Sequence, residues 1–234
     1  MSGGRSTYRH ALRVLASPLS PTLPAMRQLR RRWRRELLIV RLKLAAWAAR
    51  ATVDVDIAHD LQLDGRIEIQ VWDRTWNRLR IGPGTRIGDG VQFSFRGGTF
   101  DVGEGVEMRR LGTYQIGGEL TLCDRTGMSL GVVIHCAESV RIGELSIAGE
   151  YVTILDSAHP RTAPGVAVHH VAESKPVVIG SNVMLGAHSV VTHGVTIGDQ
   201  AFVGAAAVVT RDVPAGWLVA GVPAKPIRDL IAEP

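Results

Sequence analysis

The chain has 234 residues, of which 45% are hydrophobic and 21% charged, a balance that supports a packed core and excludes wholesale disorder. Aromatics are only 5% and there are 26 glycines, which points to thin, repetitive packing with many tight turns. Residues 1–50 carry 12 Lys/Arg against the single acid Glu36 (net +11), whereas residues 51–234 carry 15 against 21 (net −6), so the +5 total belongs to the N-terminal arm and argues against nucleic-acid binding by the main domain.

The two cysteines, Cys123 and Cys136, are too few for a disulfide framework or a four-thiolate metal site, and predict a reducing, cytoplasmic setting. Residues 1–24, with Pro18, Pro21 and Pro24, read as a poorly ordered lead-in without the apolar run of a signal peptide. Residues 25–50 read as a basic helix. Met26, Leu29, Trp33, Leu37, Val40, Leu44 and Trp47 fall on one stripe, and Arg27, Arg34 and Arg41 on another face. Arg41 and Lys43 interrupt its most apolar part, which is too short to span a bilayer. The stripe is expected to pack on the domain or on a neighbouring subunit; the alternative is peripheral contact with an anionic membrane surface.

From Ile57 the period changes to six. Ile57, Leu63, Ile69, Thr75, Ile81, Ile87 and Phe93 form one run; Val102 with Met108, and Ile116 with Leu122, resume it after a slip. Leu130, Cys136, Ile142, Ala148 and Ile154 form the next, and Ile179, Leu185, Val191, Ile197, Val203 and Val209 the last. Gly often follows the aliphatic residue, and a small or apolar residue stands four after it. Neither a helix nor an alternating strand gives this period. A chain turning a corner every six residues does. Three hexads make a coil of about 18 residues, and roughly seven coils stack into a parallel β-helix. The domain spans 53–215, with an inserted loop over 156–177 and a tail over 216–234.

The inserted stretch DSAHPRTAPGVAVHHVAESKPV is the one long departure from the hexads, and such loops carry function. It holds His159, whose backbone is fixed by Pro160, and imidazole suits proton abstraction near neutral pH. Asp156 stands three residues earlier. His169 and His170 fall later in the loop and are expected to be solvated or to face an acceptor. His135 lies in a hexad run.

These hexads, with VIHCAESVRIG, ILDSAHP, VVIGSNVMLG, HGVTIGDQAFVGAAAVVTRDVPAG and AGVPAKPIR, resemble the hexapeptide-repeat acyltransferases. The likeness is best to the galactoside and maltose O-acetyltransferases and the polysaccharide-biosynthesis acetyltransferases, over about 130–230. It implies a left-handed β-helix, a homotrimer, and acetyl transfer from acetyl-CoA to a sugar or glycan hydroxyl without an acyl-enzyme and without a metal. It further implies that His159 is the base, with Asp156 orienting or charge-stabilising it. Coenzyme A would lie along a groove between subunits, against Gly186-Ala187 and Gly204-Ala205, with Thr210, Arg211, Lys225 and Arg228 supplying side chains to the phosphate end. Met184 stands where the relatives usually place an aromatic. The alternatives are transfer to a xenobiotic or amino-sugar nitrogen, a non-catalytic scaffold, and a γ-type zinc carbonic anhydrase. The spacing of His188 and His193 evokes the last, although they fall one position late in the hexad frame.

Overall fold

A computed structural model describes residues 23–159, 161–163, 166–167 and 173–232. Most of the lead-in, and His169 and His170, lie outside the described residues. The domain is a parallel β-helix with three faces. The first carries seven parallel strands, from Thr52–Ile57 to Thr196–Ile197. The third also carries seven, from Glu68–Val71 to Val208–Val209. The second runs from Gln62–Leu63 to Phe202–Val203, and the tail extends it by Trp217–Ala220 and the antiparallel Lys225–Asp229. Seven coils result, as the hexads predict.

Each coil places like residues above like. Ile57, Ile81, Val102, Leu122, Ile142, Ile179 and Ile197 form the inward ladder of the first face, and all are buried. The residues four after an inward rung, such as Leu61, Ile67, Val183, Val195 and Ala207, are buried too and fill the corners.

The coils are not uniformly 18 residues long. Thr52 pairs with Trp76, 24 residues on; Glu119 pairs with Ser139, 20 on; only late in the chain does Val178 pair with Thr196, 18 on. Two causes are visible. Trp72 to Thr75 form an extra turn, closed by the Thr75 hydroxyl donating to the Trp72 carbonyl, so Thr75 is a corner residue and not a core rung. In the middle coils the third-face strands send two side chains inward, as in Phe93 with Phe95, Tyr114 with Ile116, and Ile134 with Cys136. Because inward positions recur every two residues, each second one lengthens its coil by two. The rungs near 130 are therefore Met128 and Ile134. Leu130 lies in a corner, and Cys136 is the second inward residue of its strand.

The core is also less purely aliphatic than the composition predicts. Phe93, Phe95, Phe100 and Tyr114 form a buried plug with ring centroids 5.6–6.4 Å apart. It coincides with the slip of the frame near 97–101, because accommodating four rings in the lumen takes the longer third-face strands.

The helix Leu23–Ala48 covers the open end of the first coil. It does so with Leu38, Leu42 and Ala46, a 4-residue spacing that makes one continuous apolar line against the coil. Arg34 donates to the Leu63 carbonyl, and Arg35 to the Ile57 carbonyl at 2.6 and 3.0 Å. These contacts satisfy carbonyls of a coil that, among the described residues, has no further coil below it. Of the two partners expected for the stripe, the domain or a neighbouring subunit, the domain is not the one it packs on. Leu29, Trp33, Leu37, Val40, Leu44 and Trp47 are all exposed. Capping needed only a narrow aliphatic line, and the bulkier stripe lies on the opposite side.

Candidate active site

The inserted loop leaves the edge where the third face turns into the first. Its base is an antiparallel ribbon, Ser157–Ala158 against Glu173–Ser174, with a second short pair, Arg161–Ala163 against Val166–Ala167. His159 follows the first ribbon strand directly and is exposed.

Asp156 anchors the root of this ribbon. It is fully buried, and its carboxylate accepts the N–H groups of Ala137, Glu138 and Ser139 at 2.7–2.9 Å. Other corner acids do the same for neighbouring coils: Asp124 accepts from Glu104, Asp199 from Ser181, and Asp212 from Thr196. Asp156 thus belongs to a structural series that ties coil to coil. The Asp156 carbonyl also receives the Lys175 N–H, which closes the loop.

On the same edge the pairing of Val191 with Val209 brings His193 and Arg211 into corresponding places of consecutive coils, each two residues past the pair. Thr210 precedes Arg211, and both are exposed. The His193 Nδ1 atom is buried without a hydrogen-bond partner. The spacing of His188 and His193 evokes a metal pair, but the coil stacking places His193 beside the loop root.

The remaining donor candidates lie on a different edge, where the second face turns into the third. Gly186 and Gly204 stack there with no room for a side chain between them. A Cβ on Gly186 would stand 2.5 Å from the Ala205 nitrogen, so only glycine permits this approach. Among the described residues, the N–H groups of Ala187 and Ala205 donate to no backbone carbonyl, unlike Gly186, Gly204 and Ala206 around them, as is the rule at this corner position. Lys225 pairs with Ala220 at the far end of the same edge, and Arg228 lies opposite Leu218 on the second face. The half-exposed Met184 sits in an outward column with Ile147, Phe202 and Leu218. Phe202 stands one coil on from Met184, an adjacency set by register, which the sequence alone does not display.

Within one chain these two sets do not meet. Third-face strands and their flanks separate the edges by on the order of 20 Å for a hexad of extended chain. Arg211 in particular stands on the loop edge, away from Lys225.

His188 occupies a left-handed corner position with φ 60°, three after the rung Leu185, in the same column as Tyr151 and Ala206. Its ring stacks on Tyr151 at 5.2 Å. His193 lies at the other end of the intervening strand, so one chain cannot bring the two to a shared ion. Among the described residues no group of three or more His, Cys, Asp or Glu is placed to hold a metal.

Neither thiol is poised as a nucleophile. Burial, with the Asp156 charge, pushes Cys136 up to about 12, and burial raises Cys123 as well. Burial, with Arg96, lowers the pKa of His135, against a smaller opposing pull from Asp156. The fold therefore favours neutral His135. Stability from this group is full above its ordinary value of 6.5 and is lost as pH falls through the lower folded-state value. Denaturant titrations should show His135→Gln losing less stability than the native chain below that pH, with the gap closing above it. Parallel curves at all pH values would remove His135 as a contributor.

The chain is a β-helix built of hexapeptide repeats, and residues 176–211 match the family description "Hexapeptide repeat of succinyl-transferase". Among known proteins it is similar to a 2,3,4,5-tetrahydropyridine-2,6-dicarboxylate N-acetyltransferase of Lacticaseibacillus casei (strain BL23), 65% identical over 57 residues, 24% of each chain. It is also similar to the galactoside O-acetyltransferase of Escherichia coli (strain K12), 38% identical over 98 residues, 39% of this chain and 45% of that one. The matches thus span less than half of these relatives. Among solved structures, a mutant of AntD, an N-acyltransferase from Bacillus cereus in complex with dTDP and coenzyme A, shares the fold. Its TM-score is 0.56 and its identity 15%, over 64% of this chain and 82% of that one.

Proposed function

We propose that the chain is an acetyl-CoA-dependent O-acetyltransferase for a hydroxyl of a sugar or glycan-biosynthesis intermediate, working as a homotrimer with its sites between subunits. The observation that carries this reading is the division of the site. His159 stands on one edge and the N–H groups of Ala187 and Ala205 on another. A three-fold arrangement that sets the loop edge of one chain against the glycine edge of the next joins the halves, and brings Arg211 toward Lys225 of the neighbouring copy. The likeness to galactoside O-acetyltransferase supports the hydroxyl acceptor, and the coenzyme A bound by AntD supports the donor.

In this reading coenzyme A lies along the glycine edge, with its pantetheine against Gly186 and Gly204, its phosphates near Lys225 and Arg228, and apolar cover from Met184 and Phe202. His159 takes the proton of the acceptor hydroxyl as the oxygen attacks the thioester carbonyl. The Ala187 N–H stabilises the oxyanion. The C–S bond then breaks, and the proton passes from the imidazolium to the leaving thiolate. The unreactive thiols favour this direct transfer over an acyl-enzyme. Asp156 acts on the loop root.

The test is release of free coenzyme A thiol from acetyl-CoA across a panel of sugars and amino sugars. Hydroxyl-dependent release is expected. Release only with amines would favour the second reading, N-acetylation, to which the Lacticaseibacillus relative points. Lys225→Ala should raise the donor KM roughly tenfold with little change in kcat, as for a lost phosphate contact. An unchanged donor KM would move the donor off this edge.

A further inference from the structure

The helix Leu23–Ala48 has two apolar faces, and the fold uses only one. At 100° per residue, Leu38, Leu42 and Ala46 point into the coil, while Leu29, Trp33, Leu37, Val40, Leu44 and Trp47 centre about 180° away. Trp33 is 69% exposed and Trp47 79%. They stand 14 residues, or roughly 21 Å, apart along the axis. Because the helix covers the first coil, this outer stripe faces away from the prism.

Charge decides between occupants. Arg32 and Lys43 are exposed beside the stripe, and the arm to residue 50 has a net charge of +11. Packing the stripe against its own copy would bring two such arms together. An anionic lipid surface meets the same charge favourably. Tryptophan at both ends of an apolar stripe, with cations alongside, suits the depth where headgroups meet acyl chains. No helix among the described residues is long and apolar enough to cross a membrane, which fits a helix lying in that plane.

We propose that this stripe docks the protein on the anionic headgroup surface of a lipid bilayer, through Leu29, Trp33, Leu37, Val40, Leu44 and Trp47 with Arg32 and Lys43. The prism then stands end-on to the surface. The Gly186 corner, in the sixth coil, lies about 24 Å above the first coil, from five strand spacings. One chain suffices for docking. In a trimer whose axis follows the prism, all three stripes face the same plane and bind together.

The test is co-sedimentation of the full chain with vesicles of phosphatidylcholine, with and without phosphatidylglycerol. Binding is expected only with phosphatidylglycerol, with release by salt. Trp33→Glu with Trp47→Glu should lower the bound fraction about tenfold or more while the sedimentation coefficient stays that of the native protein. Arg32→Glu with Lys43→Glu, which leaves the apolar stripe intact, should abolish the preference for phosphatidylglycerol. Failure of the native chain to bind, equal binding to both vesicles, or undiminished binding of the tryptophan variant would each overturn the proposal. So would a change of oligomeric state in that variant, which would assign the stripe to contact between copies.

Discussion

Replacing His159 by Ala is expected to lower acetyl transfer by about 10²–10⁴, the range for loss of a general base. Donor binding should hold, because the proposed donor contacts lie on the glycine edge and His159 on the ribbon. Steady-state kinetics with acetyl-CoA checks both. Turnover within a few-fold of native would remove His159 from the role.

Replacing Asp156 by Ala acts first on stability. Three N–H groups of the preceding coil lose a buried acceptor, and the ribbon loses its root. Leaving such donors unpaired costs about 1–3 kcal/mol each where water is excluded. Ala137 and Glu138 are exposed and regain water, leaving Ser139, so about 1–3 kcal/mol is expected overall. Asp156→Asn retains one acceptor oxygen and should recover part of it. Denaturant midpoints measure the ordering native, Asn, Ala. A thermally and chemically native Ala variant with reduced turnover would instead make Asp156 a partner of the base.

The coil number was legible because inward aliphatics recur along the chain whatever the corner length. Coil length was not, since a second inward residue such as Phe95, Ile116 or Cys136 adds two residues without breaking the apolar pattern. That is why Leu130 reads as a rung and Met128 does not. The helix was legible as a helix, but its packing face was not. Leu38, Leu42 and Ala46 are small or few beside the tryptophans, and only the size of the coil end decides which line fits. At the loop, the departure of a ribbon from the coil was legible from the interruption of the hexads. The structural place of Asp156 was hidden because its donors lie a full coil earlier, at Ala137 to Ser139. The column of Met184 and Phe202 was hidden for the same reason: their adjacency is a matter of stacking register.

The claim that one site is made by two copies is tested most directly by subunit complementation. His159→Ala keeps the glycine edge, and Ala205→Trp obstructs that exposed edge while keeping the ribbon. Each variant alone should be nearly inactive. Co-expressed and purified as mixed trimers, they should regain roughly a quarter of native turnover, because random assembly pairs an intact ribbon with an intact neighbouring edge at about one interface in four. Mixed trimers no more active than their parents would contradict the account and place the whole site within a single chain.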